Sequence, residues 1–282
     1  MIARIEPRNR TPHANRHRDV TVVITCFDYG RFLGESVASA LGQEGGSPRV
    51  VVVDDGSTDP GTIAALDELP AGVALMRREN GGPARARNTG AATATTPLLL
   101  MLDADDKLAP GTLDALKAPL ATDAGLGFAY GRTQLFGTLS RELALPPYDP
   151  YRLLYRSLVS VTSLVRREAF EAVGGFDADM PGYEDWDLYL SLLEAGWEGR
   201  RVDAVTLLYR RHGASVFEGD RGSYRTRWRA LRRKHAALYA RRDEIARRTD
   251  LGPLGRLAYR AYWGPRPLPA RIEQWLYSLL LR

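Results

Sequence analysis

The chain has 282 residues, 44% of them apolar and 26% charged, with a formal net charge of +5, enough length for one large domain or one domain with an appendage. No low-complexity tract marks a disordered or fibrous protein, and the single cysteine, Cys26, excludes an internal disulfide framework and fits a reducing compartment. No run approaches the roughly 18 apolar residues of a membrane span and the N-terminus lacks an apolar signal core, so a cytoplasmic location is expected.

The net charge hides an asymmetry. Residues 218–282 hold 16 Lys/Arg against 6 Asp/Glu, and residues 1–19 hold 5 against 2. The body between them, 20–217, has 18 basic and 26 acidic residues. An acidic body with basic ends points those ends at an anionic surface or partner.

Residues 1–19, with Pro7, Pro12 and no periodicity, read as a flexible basic arm. A β-rich run over 20–26 opens the ordered body and holds Cys26, which reads as a buried inert thiol. Residues 31–43 carry Phe32, Leu33, Val37, Ala40 and Leu41 at helical spacing. A buried strand at 50–53 is closed by Asp54-Asp55-Gly56-Ser57; helix 59–69, strand 73–76 and helix 83–94 follow, with Pro83 in the last helix's first turn. The apolar run 98–102 is the next strand. Units of this kind imply right-handed crossovers and a mainly parallel sheet. Beyond it the spacing predicts a helix from about residue 110, a strand at 127–130, a loop over 137–150 and a strand at 160–165. Helices at 167–173 and 184–195 and a strand at 202–209 complete the body. The tail reads as a basic amphipathic helix over 224–248, with Trp228, Leu231, Leu238 and Ile245 recurring among arginines. After a break at Gly264-Pro265, Ile272, Trp275, Leu276, Leu279 and Leu280 form a last apolar stripe.

Chemistry concentrates where strands end. Asp103-Ala104-Asp105-Asp106 closes the run 98–102, and in extended backbone Asp103 and Asp105 project to the same side. Such oxygens at the carboxyl end of a strand suit Mg²⁺ or Mn²⁺ and, through it, a diphosphate; the tetrapeptide alone reads equally as a solvated acidic loop. Asp54 and Asp55 end a second strand on the same rim, where a carboxylate can accept from a base N–H or a ribose hydroxyl. Asn80-Gly81-Gly82-Pro83 with Arg85, Arg87 and Asn88 makes a turn and helix start suited to anions, although it is no Walker loop. In Glu184-Asp185-Trp186 one carboxylate can serve as a general base and the tryptophan can stack on a sugar; acidic residues also simply stabilise a helix start. His212, after the last strand, can ligate a metal or contact phosphate.

In order and spacing these segments resemble glycosyltransferase family 2, the inverting nucleotide-sugar transferases of the GT-A fold. The likeness runs from about residue 20 to His212 and rests on residues 22–29, 53–59, Ala86-Arg87-Asn88-Thr89-Gly90, residues 102–106, Val173-Gly174-Gly175-Phe176-Asp177 and Glu184-Asp185. It implies an α/β, Rossmann-like, mainly parallel sheet flanked by helices, with a nucleotide-binding half (20–106) and an acceptor-binding half (107–217); the charge and spacing of the tail make 218–282 a basic helical extension. By the same resemblance Thr25 and Phe27 line the base, Asp54 or Asp55 bonds base or ribose, and Arg87, Asn88, Asp103 and Ala104 complete the nucleotide-sugar site. The resemblance also implies that Asp103 and Asp105 hold Mn²⁺ or Mg²⁺ and that Asp185 is the catalytic base; on the residues alone His212 is added to the metal ligands, and Glu184 and Trp186 to the acceptor side.

The partners so implied are a nucleoside-diphosphate sugar and a glycan or lipid-linked acceptor, with no nucleic acid; a homo-oligomer and a peripheral contact of 224–282 with anionic membrane stay open. The family usually has Asn where this chain has Asp28. Processive synthases carry Q-x-x-R-W, whereas Tyr224 stands ahead of Arg227-Trp228 here, so transfer of one or a few sugars is expected. The competing reading is a non-catalytic sugar-nucleotide-binding subunit, for which loss of Asp103, Asp105 or Asp185 would be the mark.

Overall fold

Alternate residues of the first strand point into two different cores, and that period of two organises the molecule. In the computed structural model, which describes residues 15–212 and 224–264, β1 (Val20–Cys26), α1 (Gly30–Leu41), β2 (Arg49–Asp54), α2 (Pro60–Asp67), β3 (Ala74–Arg77), α3 (Pro83–Ala92) and β4 (Leu98–Asp103) follow the expected alternation. Next come β5 (Lys107–Leu108), α4 (Thr112–Thr122), β6 (Leu126–Gly137), β7 (Arg141–Leu143) and α5 (Pro150–Leu153). The body ends with β8 (Leu164–Arg166), α6 (Arg167–Ala172), α7 (Glu184–Glu194) and β9 (Glu198–Arg211).

One sheet runs β3-β2-β1-β4-β8-β6-β9-β5, with β7 paired to β6. β1 to β4 are mutually parallel; β8 runs against both β4 and β6. Val22 and Ile24 pack with Leu33 and Val37 of α1 and Leu113 and Leu116 of α4 on one face. Val23, Val53 and Met101 pack with Ala86 and Ala91 of α3 and with Leu188 and Leu192 of α7 on the other. The result is a sheet between two helical layers. Gly90 lets α3 lie close: a Cβ there would stand 2.2 Å from Val23 Cγ1.

Three segments depart from expectation. Residues 137–150 hold β7, and the strand expected at 160–165 starts only at Leu164. Ahead of it Ser160 Oγ accepts from the Thr162 amide, a local bond that competes with strand pairing. Residues 15–19, counted in the flexible arm, are anchored: His17 is fully buried with Nε2 at 2.7 Å from Glu44 O, and Asn15 donates to Ser47 O.

The tail helix expected over 224–248 is three: α8 (Tyr224–Lys234), α9 (Ala236–Ala240) and α10 (Arg242–Ile245), followed by α11 (Pro253–Trp263). Its apolar stripe is part of the protein core, since Trp228, Leu231, Leu238 and Ile245 are buried in the same cluster as Leu188 and Tyr155. Of the 224–282 segment left open for contact with anionic membrane, the stripe over 224–248 therefore faces the protein core. Among the described residues no helix is long and apolar enough to cross a membrane. The remainder of the arm and the apolar stripe at 272–280 lie outside the described residues.

Candidate active site

Parallel pairing puts three strand ends side by side. Cys26 is level with Asp54, and Thr25 with Asp103, so the carboxyl ends of β1, β2 and β4 form one rim. The chain runs from β1 outward to β3 and then returns to β4 on β1's other side, which makes this rim a topological switch point.

Asp103 accepts from Thr25 Oγ1 at 3.1 Å and from Arg87 Nη2 at 2.8 Å. The close seat of α3 at Gly90 brings Arg87 to the rim, where its other terminal nitrogen donates to Glu184 Oε1 at 3.2 Å. Burial opposes the guanidinium charge, but Asp103 and then Glu184 more than offset it and raise its pKa. Arg87 therefore ties the end of β4 to the start of α7.

Asp105 meets a different partner, His212, whose Nε2 lies 2.9 Å from Asp105 Oδ2. The imidazole rests edge-on to Tyr29 and tilted on Phe32, with centroids 5.3 and 4.7 Å apart. Asp103, Asp105 and His212 are thus not one cluster, and no group of three such ligands forms among the described residues. Asp105 and His212 are the pair. Asp106 turns inward to accept from the Arg210 amide at 2.8 Å; burial, with Asp103 and Asp105 nearby, pushes its pKa up to about 9. Burial likewise raises the Cys26 thiol to about 11, in keeping with an inert core residue.

The acidic end of β2 builds the neighbouring loops. Asp54 Oδ1 accepts from the Ser57 amide, while Asp55 accepts from the amides of Gly81 and Gly82 at 3.1 and 2.7 Å and pairs with Arg78. Asp28, whose role the family pattern left open, adopts φ 55° and accepts from the amides of Thr58 and Asp59, latching the β1–α1 loop to the β2–α2 loop. Left-handed backbone is a conformation Asp and Asn tolerate better than most residues.

The start of α7 is also unusual. Tyr183, its N-cap, has φ 65°, preceded by Gly182 at 106°. Asp185 accepts from the Trp186 amide at 2.7 Å; burial first, then the Glu184 charge, push its pKa up to about 6. Trp186 is 3% exposed and donates through Nε1 to Leu153 O, so its ring is core and offers no face to a sugar. Asn88 uses both ends of its amide on the Phe176 backbone, at 2.7 and 2.9 Å, which pins α3 to the Gly174-Gly175-Phe176 turn instead of presenting it to a ligand.

A cavity of about 590 Å³ opens on this rim, within the range of small-molecule sites. Thr25, Phe27, Asp55, Arg87, Asp103 and Ala104 line it, as do Asp105, Glu184 and His212. Asp54, Asn88 and Trp186 do not line it, and Asp185 stands one residue beyond the lining at Glu184. Arg210, Arg211 and Arg227 also line it and were not singled out from the sequence. The first two sit beside His212 in the chain and were legible by adjacency; Arg227 stands in the R-W pair compared above with Q-x-x-R-W, and tertiary packing of the tail brings it to the cavity.

Sequence comparison finds a match over residues 21–173 to the family described as glycosyl transferase family 2. The pre-mycofactocin glycosyltransferase of Mycobacterium tuberculosis is 33% identical over 202 residues, covering 66% of this chain and 42% of that protein. The succinoglycan biosynthesis protein ExoU of Rhizobium meliloti is 31% identical over 198 residues, covering 63% of this chain and 58% of its own length. This chain therefore matches less than two thirds of either relative. Among solved structures, S. aureus TarS 1–349 in complex with UDP-GlcNAc aligns with a TM-score of 0.64 at 17% identity, over 84% of this chain and 69% of that one.

Proposed function

The chain belongs to glycosyl transferase family 2, and on that premise we propose that it moves a sugar from a nucleoside-diphosphate donor to an acceptor hydroxyl with inversion at the anomeric carbon. The observation that carries the reading is the shared rim: three adjacent strand ends, a cavity of matching size, and arginines beside carboxylates. Phe27, 45% exposed at the cavity, offers a face to the base; Asp55, which lines the cavity and holds the Gly81–Gly82 turn, supports the reading as the carboxylate that meets it. A bound TarS ligand, UDP-GlcNAc, is a donor of this class.

Asp105 and His212, in contact at 2.9 Å on the rim, are the residues that would hold Mg²⁺ or Mn²⁺. When bound, the ion offsets the charge that gathers on the departing diphosphate. Asp103, neutralised by Arg87, is better placed for a donor hydroxyl than for the ion. Asp185 takes the proton from the acceptor hydroxyl as its oxygen forms the new bond to the anomeric carbon; the bond from that carbon to the diphosphate oxygen breaks on the opposite face. Its pKa of about 6 leaves it ionised at neutral pH yet basic enough to accept a proton. Glu184, held by Arg87, is on the acceptor side of the same helix start. The acceptor is a glycan or lipid-linked glycan, extended by one or a few sugars.

A thermal-shift panel of UDP-, dTDP- and GDP-sugars with and without Mn²⁺ tests this. One donor is expected to stabilise the protein in a metal-dependent way, with the effect lost in Asp105→Ala. No stabilisation by any donor would overturn the reading.

A further inference from the structure

Helix α11 has no buried residue, yet it is pinned to the body by one face. Tyr259 and Trp263 pack against the core, Arg256 donates to Ala246 O at 2.8 Å, and Tyr151 donates to Arg256 O at 3.2 Å. The other face is apolar, and among the described residues it is exposed. Leu254 is 82% exposed and Leu257 64%, and Ala258 and Ala261 are exposed too. At spacings of three and four these four residues form one stripe. Tyr262, half-buried, borders it on one edge and Arg260, exposed, on the other.

Charge and area select what meets this stripe. The helix itself carries no carboxylate, and the segment from Arg247 to Trp263 has four arginines against one acid: Asp250 is paired with Arg152 at 2.8 Å, Arg248 with Glu198 at 2.5 Å and Arg256 donates to Ala246 O, while Arg260 is exposed. A second copy of the chain would bring these arginines towards one another. Two leucines and two alanines also fall far short of the ~800 Å² per partner that a stable dimer buries. A small apolar stripe with an arginine on one edge and an aromatic ring on the other suits the boundary between anionic headgroups and acyl chains.

We propose that α11 is a peripheral membrane contact, in which Leu254 and Leu257 enter the interface of an anionic lipid surface and Arg260 meets its phosphates. The contact is independent of the donor reading, because none of these residues lines the cavity. It also narrows the membrane-facing part of the described tail to one helix face.

Flotation of the full chain with vesicles of phosphatidylcholine alone, and of phosphatidylcholine mixed with phosphatidylglycerol, tests it. The protein should float with the anionic vesicles and not with the neutral ones, less so as salt rises. Leu254→Glu with Leu257→Glu should weaken binding at least tenfold while the melting temperature and the donor-induced thermal shift stay unchanged, since both side chains are exposed. Arg260→Glu should weaken it less. Failure of the unaltered chain to float would overturn the proposal, as would undiminished flotation of the double variant. A dimer in solution that the double variant converts to monomer would assign the stripe to a second copy instead.

Discussion

Arg87 and Asp185 carry opposite electrostatic burdens. Arg87 is a buried cation held by two carboxylates, and removing it strands Asp103 and Glu184 against each other. Arg87→Ala should therefore cost about 3–5 kcal/mol of unfolding free energy, measured by urea denaturation, and should weaken donor binding as well. Asp185 is the reverse case: its pKa in the folded protein, about 6, lies above the ~3.9 of an unfolded aspartate. The folded state binds the proton more tightly, so this residue's contribution to stability falls as pH rises from about 4 through 6. Asp185→Asn should flatten that part of the stability profile, read as melting temperature against pH, and raise stability at pH 7. Activity should run the other way, rising through pH 6 as the carboxylate ionises. Opposite pH trends for activity and stability are what the proposed base role predicts for a half-buried carboxylate with a raised pKa.

At the scale of elements, the start of α7 is fixed by a helix from the tail. Asp187 and His235 are both 1% exposed, with His235 Nε2 at 2.9 Å from Asp187 Oδ1 and Nδ1 at 3.0 Å from Glu194 Oε2. Lys234 Nζ bridges Asp187 and Asp177 at 2.7 Å each. Asp187→Ala leaves the ammonium and imidazole short of an acceptor and should lower stability by about 3 kcal/mol in chemical denaturation; Asp187→Asn, which keeps an acceptor oxygen, should cost less. The parallel half from β1 to β4 was legible because period and punctuation agree there: unbroken apolar runs end in Asp, and helices start at Pro60 and Pro83. Strand-end carboxylates could be read as a rim for the same reason. What could not be read were partners set by packing. Asn88 sits in a family motif and Trp186 directly follows one, but both spend their polar atoms on backbone, at Phe176 and Leu153. The tail's stripe looked like a surface because its burying partner, α7, lies far away in sequence, and His235 was an unremarkable position until Asp187 and Glu194 came to face it.

For the molecule as a whole, the described part of the tail, residues 224–264, packs into the core of the body that carries the site. Trp228 and Leu231 share a core with Leu188 and Leu192, and Arg227 reaches the cavity from the same helix. Trp228→Ala should cost about 3–5 kcal/mol and broaden the unfolding transition seen by near-ultraviolet circular dichroism. A chain cut before α8 should lose the cooperative transition altogether.

The central claim is that this rim binds a sugar nucleotide and that Asp185 supplies the base. Release of nucleoside diphosphate, followed from pH 5 to 8 with the donor that stabilises the protein, tests both at once. The unaltered chain should release product at a rate that rises through pH 6. Asp185→Asn should retain the donor-induced thermal shift and release it about 10²–10⁴-fold more slowly. Release from Asp185→Asn at the unaltered rate, with the same pH profile, would contradict the account.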